Sequence, residues 1–148
     1  MLMKRFIQFI LITVMVSGAG WVFWQDYRTG PIINSRLDKY VNEWKHDMDS
    51  AGIRYKIIFN TTLDTIKVVK GLKAYGYSHV SSRTIRVNEE LLASEWMTRQ
   101  TVYHELGHHI FSLDHVEDEC IMFEDDLGES FYKDNWNNLV SKYINKAK

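Results

Sequence analysis

The sequence predicts an α+β domain, in which a sheet of about four strands is accompanied by an N-terminal, a central and a C-terminal helix. Apolar residues recur at helical spacing in three segments, and four short runs rich in β-branched and aromatic residues lie between the first two. The chain has 148 residues, of which 45% are hydrophobic and 14% aromatic. This content is sufficient for one domain with a packed core.

The N-terminal segment has the composition of an export signal. Lys4 and Arg5 precede the apolar residues 6–16, an arrangement typical of the charged and apolar parts of a signal sequence. If the apolar stretch continues through Trp24, it reaches about 19 residues, enough to span a bilayer. We therefore predict that residues 1–24 are a signal-anchor or a signal peptide.

An uncleaved anchor is favoured because Trp21 and Trp24 resemble residues of the membrane interface. Cleavage after Ala19, which would give a secreted protein, is the alternative. The positive flank is expected to stay inside the cell. The rest of the chain is then extracytoplasmic, either periplasmic or extracellular, and attached to the membrane through the N-terminal helix.

The first helix and the strands follow a polar linker predicted at residues 25–34. The helix ends near Gly52, and five apolar residues define its buried face: Leu37, Tyr40, Val41, Trp44 and Met48. Strand-like runs are predicted at residues 54–59, 65–69, 74–80 and 84–87. These elements belong to a domain predicted to cover residues 35–148.

The central helix is predicted over residues 95–113, with Ser94 as its N-cap. One face should be buried by an apolar stripe of Trp96, Tyr103, Leu106, Ile110 and Leu113, and the opposite face should border a cleft. A last helix is indicated by the spacing of Trp136, Leu139, Val140 and Tyr143.

Charge and cysteine usage exclude some functions. The formal net charge of −1 offers no overall basic character for nucleic acid, so no nucleic-acid partner is expected. The lone Cys120 cannot form an intramolecular disulfide. We interpret it as a buried thiol and expect the protein to be a monomer.

The central helix contains the motif H-E-x-x-H, formed by His104, Glu105 and His108. Residues four apart share one face of a helix, so both imidazoles can bind one Zn²⁺ ion. Glu105 is displaced by roughly 100° around the helix, where it can act as a base towards a zinc-bound water without being a ligand. The motif therefore predicts zinc and a hydrolytic reaction.

The residues after this motif resemble the metzincin clan of zinc peptidases. The clan's motif continues with a glycine and a third ligand, His or Asp, and is followed by a methionine in a tight turn beneath the metal, the Met-turn. Here His115 and then Cys120-Ile121-Met122 follow in that order. The Cys120-x-Met122 pair is similar to archaemetzincins, although the cysteines of their second zinc site are absent from this sequence.

The third ligand depends on the alignment with that motif. Without a gap the ligand is Asp114 and the glycine position is Phe111; with one extra residue the ligand is His115 and the glycine position is Ser112. We prefer His115, because imidazole suits zinc and Asp114 could then support a ligand or the turn. Neither alignment supplies the glycine that would end the helix in a left-handed conformation.

Other interpretations of single residues remain open. His109 is interpreted as a surface histidine or as one that supports a ligand. Met122 could be an ordinary core methionine, and His115 an ordinary loop histidine. In a gluzincin-like site, Glu129 at the start of the last helix would complete the coordination.

The resemblance implies a zincin fold with a mostly parallel sheet and a zinc-dependent endopeptidase in which Glu105 is catalytic. A peptide substrate would then pair with the edge strand at residues 74–80. One alternative is a zinc-stabilised, non-catalytic binding or inhibitory module tethered to the membrane. A membrane-tethered interaction domain without metal is another.

Overall fold

The computed structural model describes residues 30–148, so the predicted export segment at residues 1–24 lies outside the described residues. Within residues 30–148 there are four α-helices: α1 (Asp38–Ser50), α2 (Lys56–Thr62), α3 (Glu95–Phe111) and α4 (Glu129–Ala147). The strands are β1 (Ile32–Ile33), β2 (Thr65–Val69), β3 (Gly76–His79) and β4 (Thr84–Asn88). Within residues 30–148, no helix combines the length and apolar character needed to cross a membrane.

The four strands form one open sheet in the order β1-β2-β4-β3. The pairs β1–β2 and β2–β4 are parallel, whereas β3 runs antiparallel to β4. The prediction of a mixed fold with a mostly parallel sheet of four strands is therefore confirmed. Strand β1 lies inside the predicted linker, where Ile32 pairs with Thr65 and Ile33 with Ile66.

The strand predicted at residues 54–59 is wrong, because the chain forms helix α2 there. Tyr55 and Phe59 are four residues apart and both are buried. Their rings lie 4.9 and 5.9 Å from the ring of Trp44 in α1. Residues four apart share one face in a strand as well as in a helix, but a strand separates them by about 13 Å. A helix brings them within about 6 Å along its axis, so both rings can pack on the same indole. Packing on Trp44 thus explains the helix.

Helix α3 lies at the centre of the domain. It packs on β3 and β4 on one side and on α1 and α4 on the other. The indole N–H of Trp44 donates to the hydroxyl of Tyr143 over 3.0 Å, which joins α1 to α4 inside the core. This packing sets the position of α3 relative to the sheet.

Candidate metal centre and its cleft

Helix α3 begins as predicted, since the Ser94 hydroxyl accepts the backbone N–H of Met97 over 3.2 Å. The core side of the helix also follows the prediction, and Tyr103 and Leu106 are fully buried. The opposite side is more enclosed than predicted, because the polar residues Glu105 and His109 are also buried. The sheet covers much of the face that the sequence assigned to a cleft.

Three histidines come together beside this helix. The Nε2 atom of His104 lies 3.0 Å from that of His108 and 3.1 Å from that of His115, and the last two atoms are 3.0 Å apart. Among the described residues, these three histidines form a group whose ligand atoms are close enough together to bind one metal ion. Asp114 and Glu129, the other two predicted candidates, are not part of this cluster.

Backbone carbonyls fix the proton on two of these rings. Nδ1 of His104 lies 2.8 Å from the carbonyl oxygen of Ile121, and Nδ1 of His108 lies 2.6 Å from that of Leu113. A carbonyl oxygen can only accept, so in the neutral rings Nδ1 carries the proton and Nε2 presents a lone pair. Lone pairs facing one another at 3.0 Å repel, whereas a cation between them would be stabilised. The donor set therefore fits a metal ion.

The carbonyl that holds His104 belongs to a tight turn. The backbone N–H of Phe123 donates to the carbonyl of Cys120 over 3.1 Å and closes the turn that contains Ile121 and Met122. The Ile121 carbonyl also accepts from the side-chain amide of Gln100 over 3.1 Å. Two side chains of α3, one helical turn apart, thus attach this turn to the helix.

Met122 and Cys120 are both fully buried in this turn. The backbone N–H of Met122 lies 3.3 Å from the Cys120 sulfur, as expected for a buried thiol near the methionine. A Cβ built on Gly107 would come within 2.6 Å of the Met122 sulfur and 3.0 Å of the Tyr143 ring. Only glycine at position 107 lets the turn and α4 approach the helix this closely.

The end of α3 explains how His115 reaches the cluster. Ser112 adopts the left-handed conformation, with φ 53° and ψ 35°, at the position where the resemblance placed a glycine. Its backbone N–H and that of Leu113 both donate to the carbonyl of Gly107. The chain therefore reverses at Ser112, and His115 faces His104 and His108. Asp114 is exposed.

Glu105 lies between the helix and strand β3. The residue is only 6% exposed and lines the cleft next to the histidine cluster. A Cβ on Gly76 would lie 2.7 Å from both Cγ and Oε1 of Glu105. The missing side chain at position 76 is therefore the space that the Glu105 carboxylate occupies. In a strand, glycine often marks such a close approach.

Burial shifts the pKa values of these groups. Desolvation raises the pKa of Glu105 to about 7, although a hydrogen bond from the Ser78 backbone opposes the rise. Desolvation also lowers the pKa of His104 to about 4 and lowers the pKa of His108. Both rings are thus held in the neutral form that metal binding requires.

The cluster opens into a cleft of about 600 Å³. One wall is the edge of the sheet from Lys73 to Ser78, and the other is formed by α3 and residues 123–126. The Tyr75 hydroxyl donates to the Asp126 carboxylate over 3.0 Å and joins the two walls. Strand β3 is an edge strand among the described residues, so the predicted edge at residues 74–80 does border the site.

Three residues with clear roles were not recognised in the sequence. His109 was interpreted as a surface residue or a support for a ligand; instead it is buried, contacts the Ser78 hydroxyl and the Thr62 carbonyl, and is not part of the histidine cluster. Gln100 gave no local signal, because its partner is 21 residues away. Gly76 could have been recognised, because a glycine inside a predicted strand indicates a close approach of another group to the backbone.

Comparison with known proteins adds no family or fold relative: no protein-family model matches the sequence, and neither a curated protein nor a solved structure is significantly similar to it. The function is therefore inferred from the residues of the site themselves.

Proposed function

We propose that the chain is a zinc-dependent endopeptidase of the metzincin type. His104, His108 and His115 would hold the metal and Glu105 would be the general base. The observation that carries the proposal is the triangle of three Nε2 atoms, 3.0–3.1 Å apart, beside a buried carboxylate in an open cleft.

The choice of zinc rests on the ligands and their spacing. Imidazole nitrogens bind zinc at about 2.0–2.1 Å, which places tetrahedral ligands roughly 3.3 Å apart, close to the spacing of this cluster. Three protein ligands with one open position are typical of catalytic rather than structural zinc sites. When bound there, zinc supplies Lewis-acid chemistry, since it polarises a carbonyl group and lowers the pKa of water.

The chain's own residues would supply positioning and proton transfer. Glu105 would accept a proton from the attacking water and pass it to the leaving amine. The Ser78 backbone and the space at Gly76 keep its carboxylate in place. The unpaired backbone edge of β3 would bind an extended peptide along the cleft, as a further strand of the sheet.

The decisive experiment measures zinc content and peptide cleavage in the wild type and in Glu105→Gln. Glutamine preserves the shape of the side chain but cannot act as a base. We expect stoichiometric zinc in both proteins and a loss of cleavage by at least about 100-fold in the variant. Glu90→Gln is the matched control, because Glu90 is exposed and outside the cleft.

Three results would contradict the proposal. Unchanged cleavage in Glu105→Gln would exclude this residue as the base. Stoichiometric zinc without cleavage of any member of a broad peptide library would instead favour the zinc-stabilised binding or inhibitory module. Removal of zinc by a chelator should abolish cleavage, and its return should restore it. A protein that holds no metal would favour the interaction domain.

A further inference from the structure

The two faces of the sheet differ in what covers them. Side chains of Ile66, Ile85 and Val87 point towards α3 and are fully buried. Their neighbours in each strand point the other way, and no described helix packs on that side. We call this second side the outer sheet face; it comprises Ile32, Thr65, Lys67, Val69, Tyr77, His79, Thr84 and Arg86.

The outer sheet face is basic. From Thr65 to Asn88 the sequence contains no Asp or Glu and five basic residues: Lys67, Lys70, Lys73, Arg83 and Arg86. Arg83 pairs with Asp64 over 2.9 Å, but the other four make no ion pair with any described residue. The buried Nε of Arg86 also has no hydrogen-bond partner. This charge is therefore not neutralised within the described domain.

Apolar and aromatic side chains accompany these charges. Ile32 is 75% exposed and Tyr77 is 50% exposed. The Tyr77 ring lies 5.9 Å from that of His79 on the same face. Exposed apolar and aromatic groups among lysines and arginines are typical of surfaces that contact the headgroup region of a bilayer.

The sequence also connects this face to the apolar N-terminal stretch. Ile32 follows Trp24, the last residue of that stretch, by eight residues. Eight extended residues span at most about 28 Å. If residues 6–24 are inserted in a bilayer, β1 and the outer sheet face must therefore remain near its surface.

We propose that the outer sheet face lies against an anionic phospholipid surface. Lys67 and Arg86, the two basic residues of this face that make no ion pair with a described residue, bind lipid phosphates, while Ile32 and Tyr77 enter the headgroup region. The metal cluster and its cleft lie on the α3 side of the sheet and stay open to substrate. Residues 114–129 contain eight acidic residues and no lysine or arginine. They lie on the same side of the sheet as the cleft, because Ile121 and Met122 contact α3. An anionic membrane surface repels this segment.

Lipid fits this face better than nucleic acid or a second copy. A bilayer accommodates the exposed Ile32 and Tyr77 together with the cations, whereas a nucleic-acid backbone would leave Ile32 in water. The segment of a second copy with complementary charge is the acidic one at residues 114–129, which is mostly polar and offers little to cover Ile32 and Tyr77. The short stretch of sequence between Trp24 and Ile32 favours the bilayer only, because it gives no reason for nucleic acid or a second copy to lie near this face.

The test uses the full chain with one fluorescent label, reconstituted with phosphatidylcholine vesicles or with vesicles that also contain phosphatidylglycerol. Cys120 is the only cysteine and is fully buried, so labels can be placed through Tyr77→Cys or, on the exposed side of α4, Asn138→Cys. Lipids that carry a quencher near the headgroup report contact. We expect strong quenching at position 77 with the anionic lipid, much less with phosphatidylcholine alone, and little at position 138.

Charge variants make the test specific. Each basic residue at an anionic surface changes partitioning by roughly fivefold, so Lys67→Gln with Arg86→Gln should weaken docking by about 25-fold, as should high salt. Lys133→Gln with Lys146→Gln removes the same charge from the exposed side of α4 and should leave docking unchanged.

Several outcomes would overturn the proposal. They are equal quenching at positions 77 and 138, no dependence on anionic lipid, failure of the full chain to float with anionic vesicles, or the same loss in both double variants. A signal at position 77 that rises with protein concentration without lipid would assign the face to a second copy. Binding of an RNA or DNA oligonucleotide that only Lys67→Gln with Arg86→Gln removes, without any lipid effect, would assign it to nucleic acid.

Discussion

His108 and His109 are neighbours on the same helix, yet their environments give them opposite roles. His108 donates from Nδ1 to the Leu113 carbonyl and presents Nε2 to two other histidines. His109 is held at both nitrogens: Nε2 donates to the Thr62 carbonyl over 2.9 Å, and Nδ1 lies 3.0 Å from the Ser78 hydroxyl. In their neutral forms the two rings therefore carry the proton on different nitrogens.

This difference separates a potential ligand from a structural histidine. A ring with both nitrogens satisfied by the protein has no lone pair left for a metal. A ring with one nitrogen fixed by a carbonyl and the other facing more imidazoles has a lone pair that only a proton or a cation can satisfy. Whether the protein also occupies the second ring nitrogen therefore distinguishes a structural histidine from a potential ligand. The position of the residue in the motif does not.

The largest expected effect comes from His108→Ala. Loss of one of three ligands should lower zinc affinity by more than about 100-fold, which exceeds the 10–100-fold effect of residues that only support ligands. Metal content after dialysis and competition with a chelator would measure this. Retained tight binding would show that His108 is not a ligand; His46→Ala, at an exposed position in α1, is the control.

A comparison of His115→Ala with Asp114→Ala tests the choice of third ligand. His115→Ala should cause a loss of zinc affinity similar to that of His108→Ala. The exposed Asp114 makes only an electrostatic contribution at His108, so its loss should reduce affinity by about tenfold at most. A large loss in the Asp114 variant alone would restore the alignment without the extra residue.

His109→Ala should affect stability rather than metal binding. The change leaves a cavity and removes a partner from the buried Ser78 and Thr62 groups, at a cost of about 2–4 kcal/mol in the free energy of unfolding. Denaturant unfolding of the metal-loaded protein would measure this, together with its zinc content. A loss of zinc affinity in a variant that remains folded would erase the distinction between the two neighbouring histidines.

The smallest expected effect is at the helix end that brings His115 to the cluster. Ser112→Gly removes the steric cost of a left-handed residue, about 1–2 kcal/mol, but adds chain entropy to the unfolded state, roughly 0.5–1 kcal/mol. We expect a gain of about 0.5–1 kcal/mol in the free energy of unfolding. Ser141→Gly inside α4 should be destabilising instead, and a similar loss in both variants would contradict this account.

Much of the fold could be predicted from local patterns. The spacing of Trp44 and Met48 in α1, the runs of β2 and β4, and the Ser94 cap all depend on near neighbours in sequence. The failures occurred where distant contacts decide. Ile32 and Ile33 form a strand because β2 is available to pair with them, and α2 is helical because Trp44 lies opposite Tyr55 and Phe59.

The candidate site shows the same division. The positions of His104 and His108 on one helical face follow from their four-residue spacing. The resemblance favoured His115, but spacing alone left Asp114 open as the third ligand, because the choice depends on the left-handed conformation of Ser112. The environment of His109 was equally hidden, since Thr62 and Ser78 lie 47 and 31 residues earlier in the chain.

The sequence by itself determined a helix with two histidines at metal-binding spacing and a carboxylate beside them, the core side of that helix, and three of the four strands of the sheet. Those features depend on the 3.6-residue and two-residue periods of the backbone. Only the tertiary structure decided that His115 rather than Asp114 joins the cluster, which ring nitrogens keep a lone pair and where the Glu105 side chain has room. These depend on carbonyls and on Gly76, which the fold brings from distant parts of the chain.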